Sequence, residues 1–249
     1  MIKEDPHFNS VLNYLEDPAM FDVLKAMIER SSLPLRSVET VFAGDSTGFT
    51  TCRFVRWFDV KYNRFTAKQG WVKAHLMCGV KTNVVTAVEI HDKDAADIPQ
   101  LPAMVETTAK GFTMKEVSLD KGYSSRECHD AIAKVGATPF IAFKSNSTGQ
   151  AGGLFEKMWH FFQFQKDEFL SHYHQRSNVE STVMMIKTKF GDSLKSKTDT
   201  AQKNETLAKI LCHNICCLIS AMYELGITPT FPALACTTEG QPAQREAQI

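Results

Sequence analysis

Residues 71–90 read WVKAHLMCGVKTNVVTAVEI, which is two apolar runs that alternate with period two around the polar pair Lys81-Thr82. Alternation of this kind is typical of β-strands, and the short connection between the runs predicts a hairpin. Because strands joined by a tight turn must be antiparallel, a sheet that contains this hairpin has an antiparallel part.

The segments on either side of the hairpin predict further strands and helices. Before it, TVFAGDSTGF (residues 40–49) is an apolar strand that we expect to end in a polar turn at Asp45. After it come a helix within residues 91–111, the strand MKEVSLD ending at Asp120, a helix over 124–136 and a short strand at 138–146. Strands connected through helices are usually parallel. The sequence therefore predicts an α/β fold with a mixed sheet flanked by helices.

Composition and segment character suggest how the chain is organised. It has 249 residues, 43% of them hydrophobic and 22% charged, which is typical of a globular protein. We expect a short helical N-terminal segment (1–40), one large domain (41–226) and a disordered tail (227–249) rich in Pro, Thr, Gln and Ala. The apolar run at 207–225 contains Lys209, His213 and Asn214, so we expect a core helix and no membrane span.

Cysteine usage and charge give a compartment and a candidate partner. Seven cysteines without a C-x-x-C pair argue against a disulfide framework or a zinc site and favour the reducing cytoplasm. The net charge is zero, yet residues 51–81 hold seven Lys or Arg against one acid, interleaved with aromatic residues. Such a segment suits DNA, through phosphate contacts and base stacking. We expect Arg53, Arg56 and Arg64 to contact DNA, whereas the aromatic residues fit a packed loop equally well.

Two aspartates follow apolar strands and could form a metal site. Asp45 and Asp120 would each, taken alone, be interpreted as a turn former or a helix cap. If their strands are parallel neighbours, however, both carboxylates lie at the carboxyl edge of the sheet, where ligands bind in α/β proteins. Carboxylates are suited to Mg²⁺ or Mn²⁺. A site with two metal ions generally needs a third acid.

The third acid can come from YHQRSNVESTVMMIKTKFGD, residues 173–192. At about 100° per residue, one helical face within about 60° holds Tyr173, Arg176, Glu180 and Lys187. The adjoining face is apolar and would dock on the sheet; it comprises Val179, Val183, Ile186 and Phe190. Ser177 and Glu180 also fit a capping box, which would leave Tyr173 and Arg176 before the helix. Spacing alone does not decide between these interpretations.

Several polar and sulfur-containing residues have ordinary structural interpretations as well as functional ones. Lys73 and His75 share a strand face with Trp71, and both are candidates for contacts with DNA. His75 could lie near a scissile phosphate, although a hydrogen-bonded structural histidine is favoured. The acids at 92, 94 and 97 are best interpreted as helix caps, with His91 and Asp92 left open. The pair at 184–185, Met-Met, is interpreted as packing residues.

These motifs together resemble a known family. The spacing Y-x2-R-x3-E-x6-K, present at 173–187, resembles the signature of a large subgroup of DDE insertion-sequence transposases. The segments DSTGF at 45–49, WVKAH at 71–75, HD at 91–92 and LDKGYSS at 119–125 agree in order. Each motif alone is weak, whereas the ordered set, which covers roughly residues 41–225, is specific.

The resemblance implies a fold, a reaction and partners. It implies an RNase H-like fold in which Asp45, Asp120 and Glu180 are the catalytic, metal-binding acids for two Mg²⁺ (or Mn²⁺) ions. The reaction would be hydrolysis at transposon ends, followed by attack of the freed 3′-OH on target DNA. The resemblance assigns contacts with end DNA to Tyr173, Arg176 and Lys187. It also implies a homodimer or larger assembly on DNA, in the cytoplasm and associated with the nucleoid.

One departure from the family leaves other functions open. Family members usually have an N-terminal region that recognises transposon ends. Only about 40 residues precede the resembling region here, without a helix-turn-helix pattern, so we expect this sequence to lack that region. We therefore expect the C-terminal part of a transposase. A catalytically incompetent or regulatory DNA-binding fragment is one alternative. An RNase H-like nuclease without strand transfer is another, but it gives no reason for the complete Tyr-Arg-Glu-Lys pattern.

Overall fold

A computed structural model describes residues 9–51, 70–150 and 152–231. The helices are α1 (Asn9–Glu16), α2 (Ala19–Ser32), α3 (Leu101–Gly111), α4 (Arg126–Lys134), α5 (Gly153–Phe164), α6 (Lys166–Tyr173), α7 (Ser177–Phe190) and α8 (Asp199–Glu224). The strands are β1 (Val41–Thr50), β2 (Trp71–Gly79), β3 (Val85–Asp92), β4 (Glu116–Leu119) and β5 (Thr138–Ile141).

The strands form one mixed sheet in the order β3-β2-β1-β4-β5. Strands β1, β2 and β3 are antiparallel neighbours, so the predicted hairpin is confirmed. Strands β4 and β5 continue the sheet from β1 as parallel neighbours. Three antiparallel strands followed by two parallel strands, with helices packed on the sheet, form the RNase H-like arrangement. The predicted fold class is therefore confirmed.

The prediction that the first strand ends at Asp45 is wrong. Strand β1 continues to Thr50 and pairs with β2 along its length, from Phe42 opposite Gly79 to Thr50 opposite Trp71. Its pairing with β4 stops at Gly44. Ser, Thr and Gly are typical of turns, but here the long partner β2 supplies a hydrogen-bonded ladder that keeps them extended. Asp45 thus lies where the parallel part of the sheet ends, in the middle of β1.

Apolar residues cover both faces of the sheet. On one face, α2, α7 and α8 pack against β1, β2 and β3, with Ile28, Ile186 and Leu207 fully buried. On the other face, α3 packs against β2 and β3 and α4 packs against β5, in a cluster that includes Phe42 and Leu119. The docking face predicted for residues 173–192 is confirmed, because Val179 and Ile186 are buried while Val183 and Phe190 pack partly against the same core.

Helix α8 is a core helix, as the sequence predicts. Among the described helices, only α8 is long and apolar enough to cross a membrane, judged by length and composition. It nevertheless packs against α2 and carries buried polar side chains. Asn214, for example, accepts a hydrogen bond from the Val85 N–H and donates to the carbonyls of Val85 and Ile28. These bonds join α8, α2 and β3, because each buried polar group must find a partner.

The N-terminal helices also pack on this core. Leu24 and Ile28 of α2 are buried against the sheet, and Lys25 forms an ion pair with Glu89 of β3 at 2.9 Å. The predicted domain limits at residues 40 and 226 remain predictions, and residues 232–249 of the predicted tail lie outside the described residues.

Candidate active site

Asp45 and Asp120 lie side by side at the point where two parallel strands separate. The register pairs Gly44 with Leu119, so the next residue on each strand is an aspartate. The strands are closely packed here, since a Cβ on Gly44 would lie 2.6 Å from the Leu119 side chain. Asp45 Oδ1 accepts a hydrogen bond of 2.8 Å from the Ser46 N–H. The register thus places the two aspartates next to each other, where the parallel pairing of β1 with β4 ends.

Glu180 of helix α7 is linked to Asp45 by the Arg176 side chain, which contacts both acids. The capping-box interpretation is wrong, because Ser177 has helical torsion angles (φ −57°, ψ −20°) and its hydroxyl donates to the His174 carbonyl. Tyr173 and Arg176 are also helical, and a 3₁₀ turn joins α6 to α7. The helical path is thus continuous, and Arg176 pairs with Glu180 one turn later at 2.7 Å.

The Arg176 guanidinium lies between two of the three acids. Its Nη1 is 3.6 Å from Asp45 Oδ2, while its Nη2 contacts Glu180. The Arg176 side chain is only 22% exposed, whereas that of Glu180 is 56% exposed. Arg176 therefore supplies a resident positive charge that links strand β1 to helix α7.

The electrostatics of Asp45 show that the three acids influence one another. Burial raises the pKa of Asp45 above its usual range, and the charges of Asp120 and Glu180 raise it further. The Ser46 N–H and the Arg176 guanidinium oppose this rise. Like charges that share a site favour the protonated form or the binding of a cation. Among the described residues, however, no three His, Cys, Asp or Glu side chains are close enough, as they stand, to hold a metal ion.

Tyr173 and Lys187 flank the acids along the same helical path. Burial raises the pKa of the Tyr173 phenol, and Asp120 and Glu180 contribute to the rise. Lys187 Nζ lies 5.5 Å from the centroid of the Phe49 ring, and burial lowers the pKa of this lysine. An open groove of about 420 Å³ begins at Glu180 and is lined by Glu180, Val183, Met184, Lys187, Thr188 and Asp192.

The comparison with known families agrees with this geometry. Residues 36–215 match the family described as Transposase DDE domain. The chain belongs to this family. The match contains the three acids, the five strands of the described residues and the whole of α7, so the expectation of a DDE transposase is confirmed at family level.

Comparisons with individual proteins add little detail for this transposase domain. No curated protein matches its sequence. One matched solved structure is the cryo-EM structure of a simian T-cell lymphotropic virus intasome in complex with PP2A regulatory subunit B56 gamma. The identity is 12% and the TM-score 0.33, over 84% of the transposase chain and 60% of the matched chain. The chain thus spans about 60% of the length of this matched protein.

The structure gives Lys73 and His75 surroundings that the sequence did not reveal. Lys73 Nζ is 2.7 Å from Asp97 Oδ1 and donates to the Ala95 carbonyl. His75 has no exposed surface, and its Nδ1 lies 3.4 Å from the same Asp97 oxygen. Burial lowers the pKa of His75 to about 4, so the ring is neutral at physiological pH. Both residues face Asp97 in this conformation, and their contacts with DNA remain predictions.

Asp97 was missed as a candidate site residue. It occupies the capping position that the sequence suggested, before a 3₁₀ turn at 98–100, but its side chain makes no capping hydrogen bond. It turns instead towards Lys73 and His75, two basic residues that alternate on one face of β2. That alternation was the available signal. Arg53, Arg56 and Arg64 lie outside the described residues.

Proposed function

We propose that the chain is the catalytic domain of a transposase that cleaves DNA at transposon ends and joins the freed 3′-OH to target DNA. The observation that carries this proposal is the junction of β1, β4 and α7, where Asp45 lies beside Asp120 and Arg176 links Asp45 to Glu180. Family membership supplies the class of reaction. The site supplies acids of the kind that this reaction needs.

The acids fit a divalent cation in their chemistry and their charge. Asp45, Asp120 and Glu180 would hold Mg²⁺ or Mn²⁺, two ions in all, since hard cations prefer carboxylate oxygens. The rise in the pKa of Asp45 comes first from its burial, and the negative charges of Asp120 and Glu180 add to it. The Arg176 guanidinium lies between Asp45 and Glu180 and serves as their counter-ion in this structure. Bound ions would activate the attacking oxygen and stabilise the leaving oxygen of the phosphodiester.

The side chains around the acids are suited to hold a DNA strand in place. Arg176 can bind a phosphate through two N–H groups, and Lys187 can provide a point charge further along α7. The groove from Glu180 to Asp192 offers a path for the strand beside these cations. Arg176, which pairs with Asp45 and Glu180 in this structure, would be available for a phosphate if a bound cation took over the neutralisation of these acids. We also propose that two or more copies act together on the paired transposon ends.

The direct test is an assay with DNA that carries transposon ends, target DNA and Mg²⁺ or Mn²⁺. A transposase yields both cleaved ends and joined products. Binding without cleavage would instead identify a regulatory DNA-binding domain. Cleavage without joined products would identify a nuclease.

Asp130→Asn is a suitable control for substitutions of the three acids, because Asp130 is an exposed aspartate on α4 that is 56% exposed and pairs with Arg126. The control is expected to retain both cleavage and joining. Loss of both activities in this control would contradict the assignment of the chemistry to the junction of β1, β4 and α7.

A further inference from the structure

One oxygen of the Asp97 carboxylate faces two basic side chains. Its Oδ1 faces Lys73 Nζ at 2.7 Å and His75 Nδ1 at 3.4 Å. The Lys73 and Asp97 side chains are 18% and 31% exposed, and His75 is fully buried. Because Lys73 and His75 face Oδ1, the other oxygen of Asp97, Oδ2, is the one that can serve a further partner.

The second oxygen of Asp97 borders the same space as Asp120. A methyl group placed on Gly122 would lie 3.8 Å from Asp97 Oδ2 and 4.0 Å from Asp120 Oδ2. Gly122 belongs to the 3₁₀ turn at 121–123 that directly follows Asp120. The absence of a side chain at Gly122 therefore leaves room beside both carboxylate oxygens.

A buried phenol provides an independent sign that this space takes a polar ligand. Tyr123 is 1% exposed, and its hydroxyl has no hydrogen-bond partner among the described residues. Burial raises the pKa of this phenol, and the charges of Asp97, Asp45 and Asp120 raise it further. A buried hydroxyl without a partner is unfavourable unless water or a ligand satisfies it. A water molecule or a polar ligand next to Tyr123 would satisfy this hydroxyl.

We propose that Asp97 is a fourth carboxylate of the transposase site, which binds the water shell of the divalent cation beside Asp120. This inference rests on the proposed function. Asp97 is a positioning residue here, because Mg²⁺ and Mn²⁺ keep several of their waters when bound to proteins. Asp97 Oδ2 would accept hydrogen bonds from these waters. Lys73 would contact Oδ1 and partly offset the negative charge of the carboxylate.

The test measures the affinity of the intact chain for Mn²⁺ alone, by isothermal titration calorimetry without DNA. Asp97→Asn should weaken Mn²⁺ binding about 10-fold, the usual size of an outer-shell contribution. Lys73→Gln should act in the opposite direction and tighten Mn²⁺ binding about 3-fold, because it removes a nearby positive charge. The opposite signs matter, since a purely structural Lys73–Asp97 pair predicts that both variants weaken binding.

Gly122→Ala tests the space without changing any charge. The added methyl group would make only ordinary contacts, so the melting temperature should stay within about 2 °C of wild type. Because the methyl group displaces water from between the two carboxylates, Mn²⁺ binding should weaken about 5-fold. Asp94→Asn, an exposed aspartate in the same loop, is the matched control and should leave Mn²⁺ binding unchanged.

The outcomes separate this inference from the proposed function. Unchanged Mn²⁺ affinity in both Asp97→Asn and Gly122→Ala, with strong loss in Asp120→Asn, would overturn the role of Asp97 and leave the three-acid site intact. Unchanged affinity in Asp120→Asn would overturn the proposed metal site itself. Weakening in Asp97→Asn and Gly122→Ala, together with tightening in Lys73→Gln, supports the fourth carboxylate.

Discussion

Replacing Arg176 by Gln should strengthen metal binding and weaken DNA binding at the same time. The substitution removes the guanidinium that lies 3.6 Å from Asp45 Oδ2 and 2.7 Å from Glu180 Oε1. A divalent cation must compete with this resident charge for the same carboxylates. The pKa of Asp45 should also rise, because Arg176 is one of the two groups that hold it down.

The size of the effect follows from the exposure of the two ion pairs. Glu180 is 56% exposed and Asp45 28% exposed, so solvent screens both interactions. Pairs of this kind contribute about 0.2–1 kcal/mol each. Together they amount to about 1 kcal/mol, which corresponds to Mn²⁺ binding about 5-fold tighter in the variant. For DNA, loss of one phosphate contact should reduce the slope of log affinity against log salt by about 0.9.

Two assays on the same preparation check both effects. Titration calorimetry at pH 7.5 gives the Mn²⁺ affinity, and fluorescence anisotropy at several salt concentrations gives the slope for DNA. Lys189→Gln is the matched control, an exposed cation on the same helix, and should leave the Mn²⁺ affinity unchanged. Mn²⁺ affinity that is equal or weaker in Arg176→Gln would refute the idea that Arg176 occupies the position of the cation.

Three further predictions concern stability. The pKa of Asp45 is raised in the folded protein, so ionisation of Asp45 destabilises the fold as the pH rises from the usual pKa to the raised one. Asp45→Asn should therefore raise the melting temperature at pH 7.5. A melting temperature below that of wild type would contradict the electrostatic argument. The pKa of His75 is lowered from 6.5 to about 4. Stability should therefore fall as pH drops through this window, by up to about 3 kcal/mol in urea unfolding, and His75→Phe should flatten this pH dependence. Ile186→Ala should cost about 2–5 kcal/mol because Ile186 is fully buried, whereas Met184→Ala, at a side chain that is 71% exposed, should change stability by less than about 0.5 kcal/mol.

Much of the fold follows from local patterns in the sequence. The hairpin at 71–92 was predictable because alternation and a tight turn are both short-range signals. The helix of residues 126–134 was predictable from its cap, and Ser125 does accept a hydrogen bond from the Cys128 N–H. The length of β1 was not predictable from local patterns, because β2, a partner that is distant in sequence, keeps Ser46, Thr47 and Gly48 extended.

The candidate site shows the same limit. Asp120 could be placed at a strand end from its own neighbours, whereas the proximity of Asp97 to Asp120 depends on how two separate loops pack. Met184 was expected to pack in the core but is exposed beside the groove. A helical wheel shows which side chains share a face of the helix, but it does not show how much of that face the rest of the protein covers. The Arg176–Asp45 contact likewise required the tertiary structure.

Cleavage of DNA that carries transposon ends by single and double variants of the three acids tests the central claim most directly. Asp45→Asn, Asp120→Asn and Glu180→Gln should each reduce Mg²⁺-dependent cleavage by at least about 10³-fold, and a double variant should be no worse than either single one, because residues that act as a unit are not additive. Cleavage at the wild-type rate by any one of the three variants would contradict the assignment.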